Sequence, residues 1–312
     1  MLAVCATVLL LAFPAYCAEK VVGVIMTADL PRYREAHKYF LKAMARHGYD
    51  NSRIEIIMQT PNPDPISWAN SARKLEALGS DVIVAYGAPA TLAALREVSN
   101  TPVVFSDVYD PIETGISRSM SSSGRNYCGI SAKVPIITLI KAVQDIREIK
   151  NIGVLYSSKE AGSVAQLKEM KRAAAQLGLS VQDANVTSAR QLDTALTSLL
   201  ESVDCVYVSE SAVVSRSFER IVQKAAAHKV PVISQVPDAA EKGAVVSLEI
   251  SQAEQGAVAG EYAADILKGR KPASFSIASP KKVDLVVNMK AAKALGMNVP
   301  FQVLSVATKV IK

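Results

Sequence analysis

Apolar and polar positions alternate along this chain in blocks, and the blocks recur. Val21-Val22-Gly23-Val24-Ile25-Met26 and Asn151-Ile152-Gly153-Val154-Leu155-Tyr156 are short β-rich runs, each ending in a polar loop and leading into an amphipathic stretch. The offset between them is 153 − 23 = 130 residues. The pattern predicts a helix from Arg32 to His47 in the first copy and from Ser163 to Leu177 in the second. Each stops at a glycine, Gly48 or Gly178, the residue that accepts the left-handed turn at a helix C-terminus.

The correspondence continues through both copies. Strands are predicted at Arg53 to Gln59 and Ser180 to Ala184, then helices at Pro65 to Leu78 and Ala189 to Leu200. Further strands follow at Asp81 to Tyr86 and Asp204 to Ser209, helices at Ala88 to Val98 and Val213 to Ala227, and strands at Thr101 to Ser106 and Val230 to Ser234. Each copy therefore reads βαβαβαβ. Val- and Ile-rich runs without alternation suit strands buried on both faces, so the fold class is α/β, two doubly wound parallel-sheet lobes. Copies of this size are too long for solenoid repeats. Ligands of open α/β sheets sit beyond the carboxyl ends of the strands, and two such lobes enclose a cleft there.

One apolar run does not belong to this rhythm. Leu2 to Ala18 carries no charge, holds an apolar core from Val8 to Phe13, breaks at Pro14 and ends in small residues before Glu19. It reads as a signal peptide spanning residues 1–18 and cleaved near Cys17 or Ala18, although no Lys or Arg precedes the apolar core. A lipidated Cys17 and a buried first strand are the alternatives. After Glu19, charges interrupt every apolar run well short of the ~20 residues that a spanning helix needs.

Composition adds exclusions more than assignments. The 312 residues are 50% hydrophobic and 21% charged, which excludes disorder and a disulfide scaffold. The net charge of +6 forms no long basic block, so it points to solubility and not to nucleic acid. Past the leader the cysteines are Cys128 and Cys205, both beside apolar strands and read as buried thiols. His37, His47 and His228 fall in polar helical surroundings, and with no CxxC or Cys/His cluster no metal site is expected. Neither G-x-G-x-x-G, nor a Walker motif, nor G-x-S-x-G occurs, so neither enzyme nor cofactor chemistry is expected.

Candidate ligand-binding residues gather at predicted strand ends. They are Thr27 and Leu30 with Tyr33; Gly87, Ala88, Pro89, Ala90 and Thr91; Ser106, Asp107, Tyr109 and Asp110; Ser157, Ser158, Glu160, Gly162 and Ser163; Ser209, Glu210 and Ser211; and Gln235. Gly87 and Ala88 open a helix, where free N–H groups and the dipole favour an anion. Trp68 is read as a packing residue.

These features, together with Val104-Phe105 and Asp110-Pro111, Gly153 to Tyr156, Ile266 to Pro272 and Val287 to Gly296, make the chain resemble the solute-binding proteins of ABC transporters. The resemblance runs from Val21 to Lys312, to a type I periplasmic binding-protein fold related to aromatic amino-acid binders. It implies three hinge crossings, near Gly129 to Lys133, Ser247 to Ser251 and Val283 to Asn288. The lobes would then be residues 19–130 with 252–282, and 131–251 with 283–312. It adds Glu249 and Ser251 to the candidate site.

The resemblance further implies a periplasmic, monomeric, non-enzymatic protein that closes on a small ligand and delivers it to permease subunits. A ligand-sensing ectodomain of a membrane receptor is the alternative. Family members carry an acidic residue and tyrosines where this chain has Ser251, Gln252 and Ala253, and a small residue where it has Asp107. Asp107 or Glu210 could face a ligand ammonium; the ligand expected is an amino acid or a small polar organic anion.

Overall fold

A computed structural model describes residues 19–312, so the expected leader lies outside the described residues. The first sheet contains β1 (Lys20–Met26), β2 (Ile54–Gln59), β3 (Val82–Tyr86), β4 (Val103–Val108) and β5 (Tyr127–Ser131), in the order β2-β1-β3-β4-β5 and parallel throughout. Its crossovers are α1 (Pro31–Arg46), α2 (Pro65–Ala77) and α3 (Ala88–Glu97).

The second lobe opens with α4 (Ile136–Ile146) and then repeats the plan. It runs through β6 (Asn151–Tyr156), α5 (Ala161–Gln176), β7 (Ser180–Asn185), α6 (Leu192–Leu200), β8 (Cys205–Val208), α7 (Ala212–Ser215), α8 (Phe218–Ala227), β9 (Val232–Ser234) and β10 (Val246–Ile250). The chain then leaves as α9 (Gln252–Leu267) and returns as β11 (Val283–Asn288), α10 (Met289–Ala294), α11 (Phe301–Val306) and β12 (Lys309–Ile311). The second sheet is ordered β12-β11-β10-β9-β8-β6-β7.

Strands β1 and β3 are buried almost throughout, as uninterrupted apolar runs require when helices cover both faces. Each sheet also begins with the same device. Asp81 accepts the Val21 N–H at 2.8 Å, and Asp204 accepts the Asn151 N–H at 2.8 Å, so an aspartate ahead of the third strand pins the start of the first.

Helix α9 packs on α1, far from its sequence neighbours. A β-carbon on Gly256 would stand 1.8 Å from the Ala36 carbonyl oxygen, and one on Gly260 would stand 2.7 Å from the Ala43 β-carbon. The two backbones meet where glycine leaves room, and Phe40 and Met44 are fully buried beside them. Burying such a side chain contributes about 1.5–3 kcal/mol.

Val283–Asn288, near which a third crossing is expected, forms strand β11 of the second sheet. Three expectations need revision. Strand β11 runs antiparallel to β10, so the second sheet is not wholly parallel. The helix expected from Val213 to Ala227 divides into α7 and α8, because Ser211 and Glu160 cap a first short turn and Phe218 then turns into the core. His37 is buried, not in polar surroundings. It stacks on Phe40, with Nδ1 3.3 Å from the Tyr86 hydroxyl, and burial lowers its pKa to about 4.

Cys128 and Cys205 are buried and unpaired in separate sheets. Burial pushes the Cys128 thiol up to about 12, which keeps it protonated and inert. Among the described residues no helix is long and apolar enough to cross a membrane.

Candidate functional site

The carboxyl ends of both sheets face each other and the lobes touch there. In the first lobe, Thr27 Oγ1 donates to the Tyr86 carbonyl at 2.8 Å and accepts from the Ala90 N–H at 3.3 Å. Thr91 Oγ1 donates to the Gly87 carbonyl at 2.8 Å. The Gly87-Ala88-Pro89-Ala90 turn is thereby fixed to the end of β1. Gly87 adopts φ +86°, and any β-carbon there would strike the Tyr33 hydroxyl at 2.4 Å. Trp68 Nε1 donates to the Thr27 carbonyl at 2.8 Å, so the tryptophan braces this strand end.

In the second lobe, Ser163 Oγ accepts the Ser157 N–H at 2.9 Å and bonds Ser209 Oγ at 2.8 Å. Glu160 is buried and well satisfied. It accepts from the Ser211 hydroxyl at 2.6 Å and from the Ala212 N–H, with its two oxygens at 3.0 and 2.8 Å. Burial raises its pKa, and those bonds oppose the shift. Ser158 is exposed and its N–H donates to Asn185 Oδ1 at 2.9 Å.

The charged centre lies between the lobes, around a residue absent from the sequence-based set. Arg32, in the first turn of α1, is buried with its Nε 3.1 Å from Asp107 Oδ2. Its Nη2 donates to the Tyr33 hydroxyl at 2.8 Å and, across the cleft, to the Glu210 carbonyl at 2.7 Å. The guanidinium lies 4.6 Å from the Tyr33 ring centroid, within cation–π range. Burial opposes the arginine's charge, but Tyr33, Asp107 and Glu210 together outweigh it and raise its pKa.

Asp107 sits at φ +55°, a left-handed conformation that aspartate tolerates better than most residues. Gln255 on α9 holds it there, accepting the Asp107 N–H at 2.9 Å while its amide donates to the Ser131 carbonyl at 2.9 Å. Ser106 Oγ donates to the Gln255 carbonyl at 3.1 Å. Burial raises the Asp107 pKa, and Arg32 opposes this most strongly. Burial likewise lifts Glu210 to about 8, with Arg32 pulling down and Asp107 pushing up.

A cavity of about 970 Å³ opens beside this centre, at the mouth between the lobes. Its walls include Leu30, Arg32, Phe218, Val236, Glu249 and Gln252. Arg32 Nε and Nη1 and both amide atoms of Gln252 are buried and make no hydrogen bond. Of the residues chosen from sequence, Leu30 and Glu249 line this space and the others do not.

Several of those others have evident structural partners. Asp110 accepts from the Ile112 and Glu113 N–H groups and pairs with Lys133 at 2.6 Å. Tyr109 packs in the second lobe's core and donates to Glu169 at 2.6 Å. Ser251 caps α9 through the Glu254 N–H at 3.1 Å. Gln235 is buried with Oε1 unbonded. Gly162 faces Glu210, whose Oε1 would stand 2.7 Å from any β-carbon there.

One sequence signal could have found Arg32. A cation in the first turn of a helix opposes the macrodipole, so its presence calls for another partner. Among the described residues, the carboxylates of Asp238, Glu241 and Glu249 lie within 4.8 Å of one another at the cavity's edge. Glu241 is paired with Lys309, and Glu249 accepts from Ser247 Oγ at 2.6 Å.

Known proteins share this architecture. A family model described as ABC transporter substrate binding protein matches residues 21–311. A tyrosine-binding protein of Clostridioides difficile (strain R20291) is 26% identical over 281 residues, which is 89% of this chain and 81% of that protein. The structure of an ABC domain from Streptococcus pneumonia in complex with L-Trp is 26% identical, with a TM-score of 0.89 over 94% of this chain and 100% of the other. The ligand-free, open structure of a substrate binding protein with adhesive properties from Clostridium difficile is also 26% identical over 94% of this chain and 99% of the other. Its TM-score is 0.68.

Proposed function

The chain belongs to the ABC transporter substrate binding protein family, and from that premise we propose that it binds an amino acid between its lobes outside the cytoplasmic membrane and delivers it to an ABC permease. The observation that carries the ligand class is the charge pattern at the cleft floor. Arg32 lines a cavity of about 970 Å³ and has a buried Nη1 without a hydrogen-bond partner. Its Nε pairs with the Asp107 carboxylate at 3.1 Å, and the acid of Glu210, from the other lobe, also favours its charge. A carboxylate on the ligand would take the guanidinium, helped by the first turn of α8 on the opposite wall. Leu30, Phe218 and Val236 offer apolar surface to a side chain.

The lobe arrangement supports a binding cycle. At equal identity and equal coverage of this chain, the resemblance is greater to the L-Trp complex than to the open, ligand-free protein. Arg32 bonding across to Glu210 fits that arrangement. A ligand touching both lobes would favour it by its differential contacts. The site residues proposed are those lining the cavity with Arg32, Asp107, Glu210 and Gln252, and the strand-end residues Thr27, Gly87 to Thr91, Ser157 and Ser163 as their frame.

Thermal denaturation against the twenty standard L-amino acids tests the reading. A ligand at 100 times its Kd should stabilise the protein by about 2.7 kcal/mol. The reading fails if no amino acid raises the melting temperature.

A further inference from the structure

A buried carboxylate, Asp107, and a main-chain carbonyl of the other lobe meet one buried guanidinium at the cleft floor, and the guanidinium is the protein's own. Arg32 reaches Asp107 at 3.1 Å on its own lobe and the Glu210 carbonyl at 2.7 Å on the other. That is the position from which an ammonium would satisfy the same acceptors. We propose that Arg32 is a built-in counter-cation replacing the ligand's α-ammonium, so that this cleft takes 2-hydroxy and 2-oxo carboxylic acids alongside the corresponding amino acids. The inference rests on the ligand site of the preceding section and assigns its substrate class.

The charge balance carries it. An unpaired carboxylate in a closed cleft is costly, so a site with Asp107 buried and no internal cation would demand one from its ligand. Asp107 already has Arg32. Burial raises the Glu210 pKa, which favours its neutral form and lessens its demand for a ligand cation. Arg32 and Gln252 both line the cavity, and Arg32 Nη1 and the Gln252 amide are buried without hydrogen-bond partners. They suit a carboxylate with a neighbouring hydroxyl or carbonyl as well as one with an ammonium. Glu249, the other acid on that wall, already accepts from Ser247 at 2.6 Å.

The test is calorimetric titration of each standard L-amino acid and its matched 2-hydroxy acid into the full chain, into Arg32→Met and into Glu148→Gln, a surface acid paired with Lys150 and outside the cavity. On the wild type the 2-hydroxy acid should bind within about 10-fold of the amino acid. Arg32→Met leaves Asp107 without its cation and should shift preference toward the amino acid by about 100-fold. Glu148→Gln should leave the ratio unchanged.

A wild type that rejects the 2-hydroxy acids by more than about 100-fold overturns the inference, whatever the variants do. So does a preference that moves with Glu148→Gln as much as with Arg32→Met. Binding of 2-hydroxy acids with no amino acid bound would remove the amino-acid reading and leave this one standing. Binding of neither class removes both.

Discussion

Helices α1 and α5 occupy the same station in the two lobes, Pro31–Arg46 and Ala161–Gln176, and at their second residue they differ completely. The first lobe has Arg32 there and the second, 162 − 32 = 130 residues later, has Gly162. Arg32 projects into the cleft and bonds Glu210 across it, whereas Gly162 leaves the space that the Glu210 carboxylate fills. One lobe brings a cation to the interface and the other brings an acid with room to receive it. Duplicated architecture thus fixes where residues can meet, while the charges at one matched position fix what the cleft can recognise.

The sharpest way to break the comparison is through packing. The first lobe depends on α9 lying backbone to backbone on α1. Gly256→Val places new carbon where the Ala36 carbonyl oxygen stands, 1.8 Å from the β-carbon alone. The obstacle is backbone, which cannot rotate aside. The expected cost is at least about 4 kcal/mol, seen as a large loss of urea midpoint or of soluble protein. A change under about 1 kcal/mol would mean that α9 and α1 can separate cheaply.

A second difference is titratable. His37 is buried in α1, and its counterpart in α5 at the same offset is Leu167. The folded protein holds His37 neutral down to about pH 4, whereas the unfolded chain protonates it near 6.5. Between those values the unfolded state binds the extra proton, so stability is intact above about 6.5, falls as pH drops and has lost its full share near 4. The full share is about 3 kcal/mol. His37→Gln, which keeps a polar partner for the Tyr86 hydroxyl, should flatten this part of a pH–stability curve measured by urea denaturation. An unchanged slope would show that other groups carry it.

Much of this frame is legible in the sequence because periodicity and burial are local matters. The βαβ rhythm, the glycine stops and the boundaries of α1 and α5 follow from apolar spacing within short windows. What escapes is set by distance along the chain. Arg32 and Glu210 are 178 positions apart, and no spacing rule says that a first-turn arginine will face the other lobe. His37 looks like a polar helical residue until α1 is rolled against Tyr86 on β3. Glu160 reads as a free cleft carboxylate, but once the second lobe folds it is consumed by Ser211 and Ala212. Strand ends are marked by polar residues whether those residues meet a ligand or only fasten one loop to the next.

The smallest expected effect tests how alike the lobes are where they should agree. Asp81 and Asp204 occupy equivalent places, each accepting a backbone N–H from the start of its lobe's first strand at 2.8 Å. Asp81 also pairs with Lys20 Nζ at 2.8 Å, while Asp204 instead accepts a second N–H, from Lys150 at 2.9 Å. The Lys20 pair is about a third exposed on both sides, so solvent and side-chain entropy leave it well under 1 kcal/mol. A backbone bond to a carboxylate is the larger contribution in both places, about 1.5 kcal/mol. Asp81→Ala and Asp204→Ala should therefore cost nearly the same in urea denaturation. Adding 0.5 M salt should shrink the Asp81 cost slightly more, since it screens the lysine pair and barely touches a bonded N–H. If Asp81→Ala costs several times as much as Asp204→Ala, the two strand anchors are not energetic equivalents despite their shared geometry.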